Sequence, residues 1–145
     1  MNTHEEILVQ LKPRATRAAA HAYAPYSRFP VGAAVLTEAG QTFAGCNVEN
    51  ASFGLTQCAE RSALAAAVAD GVTRGSVVAL LIYTPGMQAH PPCGACRQVM
   101  HELMSDDSVV LSCCDGDETL RWLHSEYLPD PFVPEALEQV HNIDS

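Results

Sequence analysis

Two short cysteine-containing segments constrain this chain of 145 residues more than any other feature. They are Cys58-Ala59-Glu60 and Pro92-Cys93-Gly94-Ala95-Cys96, and each stands where an apolar, strand-like stretch gives way to a helical one. Zinc that must activate water is held by three protein ligands and keeps a fourth position open, whereas a structural zinc site has four protein ligands. The three thiols therefore predict a Zn²⁺ site with an open position, and the carboxylate of Glu60 is placed to act there as acid and base.

The positions of the three cysteines explain why a metal would bind here. Cys93 and Cys96 are three residues apart, so both sulfurs lie on one side of a first helical turn. Cys58 opens another helix. Both helices follow strands, so their N-termini should meet beyond the carboxyl ends of the sheet, where α/β folds bind ligands. The partial positive charge of a helix N-terminus also favours thiolates.

Two other interpretations of these cysteines stay open at this point. Cys93-Gly94-Ala95-Cys96 alone is also typical of a redox dithiol in thioredoxin-like proteins. The second segment, around Cys58 and Glu60, favours a metal over a redox function. His90 lies three residues before Cys93 and is a candidate fourth ligand, which would make the site closed and structural.

Composition limits the class of protein. A chain of 145 residues is long enough for one domain with a sizeable core, which we expect to span residues 1–145. No apolar run approaches the ~18 residues of a membrane helix. The first residues, 1–6, are polar and acidic and give no secretory signal, so we expect a cytoplasmic protein. In a reducing compartment, cysteine pairs indicate metal binding or catalysis rather than disulfides.

The charge balance indicates the kind of partner. The formal net charge is −9, with only 8 lysine and arginine residues. Nucleic-acid binding depends mostly on lysine and arginine contacts to phosphate, so we expect no nucleic acid partner. The expected ligand is a small neutral molecule.

The apolar pattern predicts an α/β fold with a mixed sheet of about five strands that includes an N-terminal β-hairpin. Thr3-His4-Glu5-Glu6 predicts a capping box, followed by a helix to about Tyr23 that Pro13 kinks or breaks. The other predicted elements are strands over 31–36, 42–48, 77–83, 109–113 and 118–123 and helices over 57–70, 93–104 and 134–141.

Arg61 is predicted to adjust the charge of the metal site. Three thiolates on Zn²⁺ leave a net charge of about −1 and make a bound water less acidic. Arg61 follows Cys58 by three residues, on the same side of the helix. Its guanidinium can donate hydrogen bonds to ligand sulfurs, and we expect it to offset this charge.

The chain resembles the small homotetrameric cytidine deaminases, in which a ligand-x-Glu segment precedes Pro-Cys-x-x-Cys. The resemblance extends from about residue 3 to residue 137. The shared segments are Ala24-Pro25-Tyr26-Ser27, Phe29-Pro30-Val31-Gly32-Ala33-Ala34, Gly45-Cys46-Asn47-Val48-Glu49-Asn50-Ala51-Ser52, Cys58-Ala59-Glu60-Arg61, Pro92-Cys93-Gly94-Ala95-Cys96-Arg97-Gln98, and Leu128-Pro129 with Phe132.

The resemblance implies a three-layer αβα fold and a role for each matching residue. Cys58, Cys93 and Cys96 would be the zinc ligands and Glu60 the proton shuttle. Phe29 would pack on the pyrimidine, with Ala59 also contacting the substrate. Asn47 and Glu49 would bind the ribose 3′-hydroxyl, and the Ala51 backbone a 5′-hydroxyl. Phe53 and Phe132 would enter the pockets of neighbouring subunits in a homotetramer. Arg61, whose role was inferred above from its spacing and not from the resemblance, would donate hydrogen bonds to the ligand sulfurs.

The pattern of residues agrees with a sugar-binding role for Asn47 and Glu49. The two alternate along an extended segment, so their side chains share one face. An amide and a carboxylate side by side can hydrogen-bond a vicinal diol. The alternative is a turn-forming Asn and a solvated Glu. Phe53 stands where a Tyr is common in the family, and Pro131 precedes Phe132, so substrate preference and loop geometry can differ from those of relatives.

The expected reaction is zinc-dependent hydrolysis of cytidine and 2′-deoxycytidine to uridine and 2′-deoxyuridine plus ammonia, as in pyrimidine salvage. A deaminase of a related aminopyrimidine nucleoside, such as a nucleoside antibiotic, has the same zinc segments. So does an enzyme acting on nucleic acid, which the acidic balance disfavours. From another class, a non-catalytic zinc or nucleoside-binding module remains open. The intact Glu60 discriminates, since a binding module has no use for it.

Overall fold

The computed structural model describes residues 2–141. The elements in chain order are α1 (His4–Ala19), β1 (Gly32–Thr37), β2 (Thr42–Cys46), a 3₁₀ helix (Phe53–Leu55), α2 (Ala59–Ala69), β3 (Val77–Tyr83), α3 (Gly94–Leu103), β4 (Met104–Cys113), β5 (Thr119–Leu123), α4 (His124–Tyr127) and α5 (Glu135–His141). Within the described range, no helix has the length and hydropathy that crossing a membrane requires.

The strands form one mixed sheet in the order β2-β1-β3-β4-β5. The N-terminal hairpin of β1 and β2 is antiparallel, and β1 is also antiparallel to β3. Among the strands of the described residues, only β3 and β4 pair in parallel, and α3 connects them. Strand β5 returns antiparallel along β4. The predicted mixed sheet of about five strands with an N-terminal hairpin is confirmed. The single domain predicted over 1–145 stays a prediction, because both ends of the chain lie outside the described range.

Helices cover both faces of the sheet, which gives the expected three layers. On one face, α1 packs Leu11 and Ala15 against alternate residues of the central strands such as Leu81. On the other face, α2 and α3 contribute Leu64 and Met100 to a second core. Because the central strands are covered on both faces, they are apolar at almost every position. This is why β3 begins and ends at the predicted residues.

The first helix begins as predicted and ends earlier. Thr3 and Glu6 form the expected capping box. The Glu6 backbone N–H donates to the Thr3 hydroxyl at 3.2 Å, and the Thr3 backbone N–H donates to the Glu6 carboxylate at 2.6 Å. Pro13 does not break the helix, which was one of the two predicted outcomes, because α1 continues to Ala19. Pro13 is exposed, so the carbonyl that lacks an N–H partner lies on the solvent side of the helix.

The predicted helix end at Tyr23 was wrong because the chain there pairs with another segment. The Tyr23 N–H donates to the Asn47 carbonyl at 3.0 Å, and the Glu49 N–H donates to the Tyr23 carbonyl at 2.8 Å. This parallel bridge holds Tyr23 in an extended conformation beside Val48. Strand β2 accordingly ends at Cys46 rather than at Val48.

The bounds around the cysteine segments also differ slightly from the prediction. Helix α2 begins at Ala59 and α3 at Gly94, because Cys58 and Cys93 are extended N-cap residues. Helix α3 ends at Leu103, because β4 starts at Met104, where its first residue pairs with Val77. The 3₁₀ helix at Phe53–Leu55 and the short α4 lack a periodic apolar pattern and were not predicted.

Candidate metal centre and catalytic cavity

Three cysteine sulfurs converge at the N-termini of α2 and α3. Cys58 caps α2, Cys93 caps α3, and Cys96 lies buried in the first turn of α3. The Sγ atoms of Cys58 and Cys93 are 3.9 Å apart, and all three sulfurs lie within 4.8 Å of one another. Zn–S bonds of about 2.3 Å in tetrahedral geometry place sulfurs about 3.8 Å apart. The thiol cluster therefore has the dimensions of a zinc site.

The interpretation of His90 as a fourth ligand was wrong for the described structure. Within residues 2–141, Cys58, Cys93 and Cys96 form the only group of three metal-ligating side chains with this spacing, and His90 is not part of it. All six cysteines are free thiols, so Cys93 and Cys96 do not form a disulfide. Three ligands without a fourth leave one position for water or substrate.

The thiols are electrostatically unequal. The pKa of the Cys58 thiol is lowered to about 5, mainly by its hydrogen bond with Cys96 and also by the guanidinium of Arg61. The same hydrogen bond with Cys58 raises the pKa of Cys96, and burial and the Glu60 carboxylate add to that increase. The shared hydrogen bond thus favours the thiolate at Cys58 over the thiolate at Cys96. A divalent cation held by the three sulfurs would displace the thiol protons that remain, because metal ligation requires thiolates.

Arg61 lies where the sequence predicted it. Its Nη2 is 3.3 Å from the Cys58 sulfur and 3.4 Å from the Thr56 carbonyl oxygen. The hydrogen bond to Cys58 is the main cause that raises the pKa of Arg61. The Arg61 Nε is buried and has no hydrogen-bond partner among residues 2–141. A guanidinium packed in this way brings a fixed positive charge to the thiol cluster.

Glu60 lies in the first turn of α2, next to the thiol cluster. Its side chain is buried, with 5% exposure, and burial raises the pKa of its carboxyl above the ordinary value. A carboxyl with a raised pKa can both accept and donate a proton near neutral pH, as general acid–base catalysis requires. Glu60 lines a cavity of about 310 Å³ together with Cys58, Ala59 and Cys93. The cavity thus connects the carboxyl to the thiols.

The same cavity brings together residues that are distant in the sequence. Phe29, Asn47 and Glu49 lie on its walls, as does Ala59. Most of the residues to which the resemblance assigned a substrate contact therefore surround one space. The lining residues that the sequence did not indicate for substrate are Ser27, Val31, Thr56, Ile82, Thr84, His90 and Pro91.

Asn47 and Glu49 are held by the loop that carries Phe29. The Asn47 side chain accepts from the Val31 N–H at 2.9 Å and donates to the Phe29 carbonyl at 2.8 Å. One carboxylate oxygen of Glu49 accepts from the backbone N–H groups of Tyr26 at 2.9 Å and Ser27 at 3.1 Å. The Ser27 side chain is the main cause that lowers the pKa of Glu49. Both side chains are therefore hydrogen-bonded to this loop, and Glu49 remains partly exposed. Their role in sugar binding stays a prediction beside the alternative of a turn-forming Asn and a solvated Glu.

Three of the predicted substrate residues do not reach this cavity within one chain. Ala51 is exposed outside it. Phe53 is 74% exposed and lines a neighbouring cavity of about 290 Å³ with Tyr26 and Glu49. Phe132 is 61% exposed, and its carbonyl accepts a hydrogen bond of 2.8 Å from the Gln98 side chain. Two large apolar side chains are therefore left facing outward.

The fold and the thiol centre define the class of zinc-binding deaminase domains. The family model described as "Cytidine and deoxycytidylate deaminase zinc-binding region" matches residues 5–113. The cytidine deaminase of Halalkalibacterium halodurans is 49% identical over 117 residues, which are 80% of this chain and 86% of that protein. The cytidine deaminase of Sporosarcina psychrophila is 46% identical over 102 residues, or 70% of this chain and 74% of that protein.

Solved structures agree with the sequence relatives. The crystal structure of cytidine deaminase from Burkholderia pseudomallei has a TM-score of 0.81 and 42% sequence identity, and the match covers 90% of this chain and all of that one (100%). The chain belongs to the cytidine deaminase family. The matching family model is that of a zinc-binding region. In the described residues, the sulfurs of Cys58, Cys93 and Cys96 have the spacing to hold a zinc ion.

Proposed function

We propose that this protein catalyses the zinc-dependent hydrolytic deamination of cytidine and 2′-deoxycytidine to uridine and 2′-deoxyuridine, with release of ammonia, in pyrimidine salvage. The observation that carries the proposal is the buried Glu60 carboxyl beside three convergent cysteine sulfurs, on the wall of a cavity large enough for a small molecule. Family membership and the names of the relatives support the same reaction.

Cys58, Cys93 and Cys96 are the proposed ligands. A zinc ion held by these sulfurs would supply Lewis acidity, which would lower the pKa of the attacking water and stabilise negative charge at the reacting centre. Arg61 withdraws charge from the Cys58 sulfur through its 3.3 Å hydrogen bond. The helix N-termini at Cys58 and Cys93 also favour the thiolate forms that ligation requires.

Glu60 is the proposed proton shuttle. It removes a proton from the water that attacks C4 of the cytosine ring and gives a proton to N3. In the next step the C4 hydroxyl of the tetrahedral adduct gives its proton to the same carboxylate, which passes it to the 4-amino group. The C4–N4 bond then breaks as the C4 carbonyl forms, and ammonia leaves. Burial supports this role, because it raises the pKa of the carboxyl toward the operating pH.

The remaining cavity residues are proposed to position the nucleoside. Phe29 packs on the pyrimidine and Ala59 borders it. Asn47 and Glu49 bind the ribose 3′-hydroxyl, using donor and acceptor capacity beyond the bonds that they make to the loop. The Ala51 backbone, which lies outside this cavity within one chain, is proposed to contact the 5′-hydroxyl.

A homotetramer in the cytoplasm is the proposed state of the protein. Phe53 and Phe132 are exposed within one chain, so both rings are available to a neighbouring subunit. In such an assembly, both rings would complete pockets of neighbouring subunits. No nucleic acid or membrane is proposed as a partner, in agreement with the net charge of −9.

The loss of ultraviolet absorbance of cytidine tests the reaction. The purified protein should convert cytidine and deoxycytidine, lose activity with a zinc chelator, and regain it when Zn²⁺ but not Mg²⁺ is added back. A protein that binds zinc and nucleoside without converting either nucleoside would instead be a binding module. Activity that survives complete removal of zinc would exclude the proposed mechanism.

A further inference from the structure

His90 lies on the wall of the catalytic cavity but is not part of the metal-ligating group of cysteines. Its ring packs edge-on against Phe29, with ring centroids 5.3 Å apart and an interplanar angle of 86°. Edge-to-face packing is a favourable arrangement for aromatic pairs at this distance. His90 therefore contacts the ring that is proposed to pack on the pyrimidine.

The backbone of His90 is fixed from the sheet. Ser112 in β4 is fully buried, and its hydroxyl donates to the His90 carbonyl at 2.6 Å. The His90 N–H donates back to the same hydroxyl at 3.2 Å. The preceding residue, Ala89, donates its N–H to the Glu118 carboxylate at 3.3 Å. The loop that ends at the zinc segment thus holds the His90 backbone in a defined position.

The Phe29 side chain is less firmly held than its backbone. The backbone of Phe29 accepts a bond from Asn47 and donates one of 3.1 Å to the Ser27 hydroxyl. Its side chain is 42% exposed, and among residues 2–141 His90 is the aromatic ring that packs against it. The preceding residue, Arg28, has a left-handed φ of 54°, so this loop has an unusual backbone conformation. The edge contact with His90 is therefore the aromatic contact that can orient the Phe29 ring.

The contact with Phe29 uses the His90 ring rather than its nitrogens. Neither ring nitrogen has a hydrogen-bond partner in the described part of the chain, so the position of the ring is set by the Ser112 anchor and by packing. A phenyl ring of similar shape can make the same edge contact. An alanine side chain cannot.

We propose that His90 is a positioning residue for nucleoside binding, which acts by holding the Phe29 ring in the orientation that packs on the pyrimidine. The proposal rests on the proposed function, because it assigns the role of Phe29 from that function. His90 itself takes no part in proton transfer. Its loss should weaken binding of the nucleoside and leave the chemical step unchanged.

Steady-state kinetics with cytidine test this role. His90→Ala should raise KM about 2- to 10-fold, the range that one edge-to-face aromatic contact provides, with kcat and zinc content unchanged. His90→Phe should restore KM to the wild-type value. Gln88→Ala is the matched control, because this exposed side chain lies in the same loop. It should leave both constants unchanged.

A double-mutant cycle separates action through Phe29 from a direct effect. In a Phe29→Ala background, His90→Ala should add no further increase in KM, because the ring that it positions is already absent. Additive effects on KM, an unchanged KM in His90→Ala, or failure of His90→Phe to restore KM would each overturn the proposal. A wild-type protein that does not convert cytidine at all would instead overturn the proposed function.

Discussion

The guanidinium of Arg61 donates a hydrogen bond of 3.3 Å to the sulfur of Cys58. Arg61 directly follows Glu60, the proposed catalytic carboxyl, and Cys58 is a proposed zinc ligand. A hydrogen bond to a charged acceptor contributes about 1.5–3 kcal/mol. A contact of that size is large enough to affect the acidity of the attacking water, which allows a direct test.

Replacement of Arg61 by Ala should move the acidic limb of the kcat/KM–pH profile upward by about one to two pH units, since about 1.4 kcal/mol corresponds to one unit. The sign follows from charge, because loss of a cation makes the site more negative and raises the pKa of the water. Arg61→Lys retains the charge and should shift less. A profile identical to that of the wild type in Arg61→Ala would contradict the assigned role.

Replacement of Glu60 by Gln should lower kcat about 10²- to 10⁴-fold, because the amide cannot carry protons between water, the ring nitrogen and the leaving group. Zinc content and the dissociation constant for nucleoside should stay near their wild-type values, since Glu60 is not a proposed ligand. Single-turnover absorbance and metal analysis measure these quantities. Glu5→Gln, at an exposed position in α1, is the control. Substantial remaining turnover in Glu60→Gln would exclude the carboxyl as the shuttle.

Asp115 fixes the start of the loop that leads to Cys93. Its carboxylate accepts from the Tyr83 hydroxyl at 2.5 Å and from the Gly86 N–H at 2.8 Å. The bond from Tyr83 is the main cause that lowers the pKa of Asp115, and the same bond raises the pKa of Tyr83 to about 12. The carboxyl therefore stabilises the fold above its ordinary pKa and loses that contribution as the pH falls through its lowered pKa.

Asp115→Asn should lower the melting temperature at neutral pH, and the difference from the wild type should shrink as the solution is acidified below about pH 4. Raising the pH toward 12 should also remove the wild-type advantage, since the phenol of Tyr83 then loses its proton. Asp117→Asn, an exposed substitution in the same turn, is the control. A melting-temperature difference that is constant across pH would contradict this account.

Gly32 allows α1 to approach β1. A Cβ atom at this position would collide with the backbone carbonyl of Ala15. Because the obstacle is helix backbone and not the end of a flexible side chain, it cannot easily move aside. Gly32→Ala should therefore lower the free energy of unfolding by about 1–3 kcal/mol, as overpacking typically does. Denaturant unfolding measures the change. Gly54→Ala, where a Cβ meets nothing within 4 Å, should be nearly neutral, and equal effects of the two substitutions would contradict the steric explanation.

The sequence predicted best the parts of the fold that depend on local pattern. The capping box at Thr3 and the apolar strand Val77–Tyr83 were both found as predicted, because hydrogen bonds between neighbours and a continuous apolar run do not require knowledge of distant segments. The end of α1 was missed because the pairing of Tyr23 with Val48 is long-range. Such pairing overrides the helix propensity of the alanines that precede it.

The candidate site shows the same division. The cysteine spacing and the resemblance indicated the three sulfurs as zinc ligands, Glu60 as the acid–base group and Phe29 as a substrate contact. The packing of His90 against Phe29 was not indicated, because it depends on the loop anchored by Ser112, which lies 22 residues further along the chain. The resemblance assigned Phe53 and Phe132 to the pockets of neighbouring subunits, and within one chain both residues are exposed.

The sulfurs of Cys58 and Cys93 are 35 residues apart in the sequence and 3.9 Å apart in space. An ion bound between them would act as a crosslink that is present only in the native state. By mass action, such a crosslink stabilises the native state in proportion to the logarithm of the free ion concentration once that concentration exceeds the dissociation constant. The melting temperature of this protein is therefore a property of the buffer's metal content as well as of the chain.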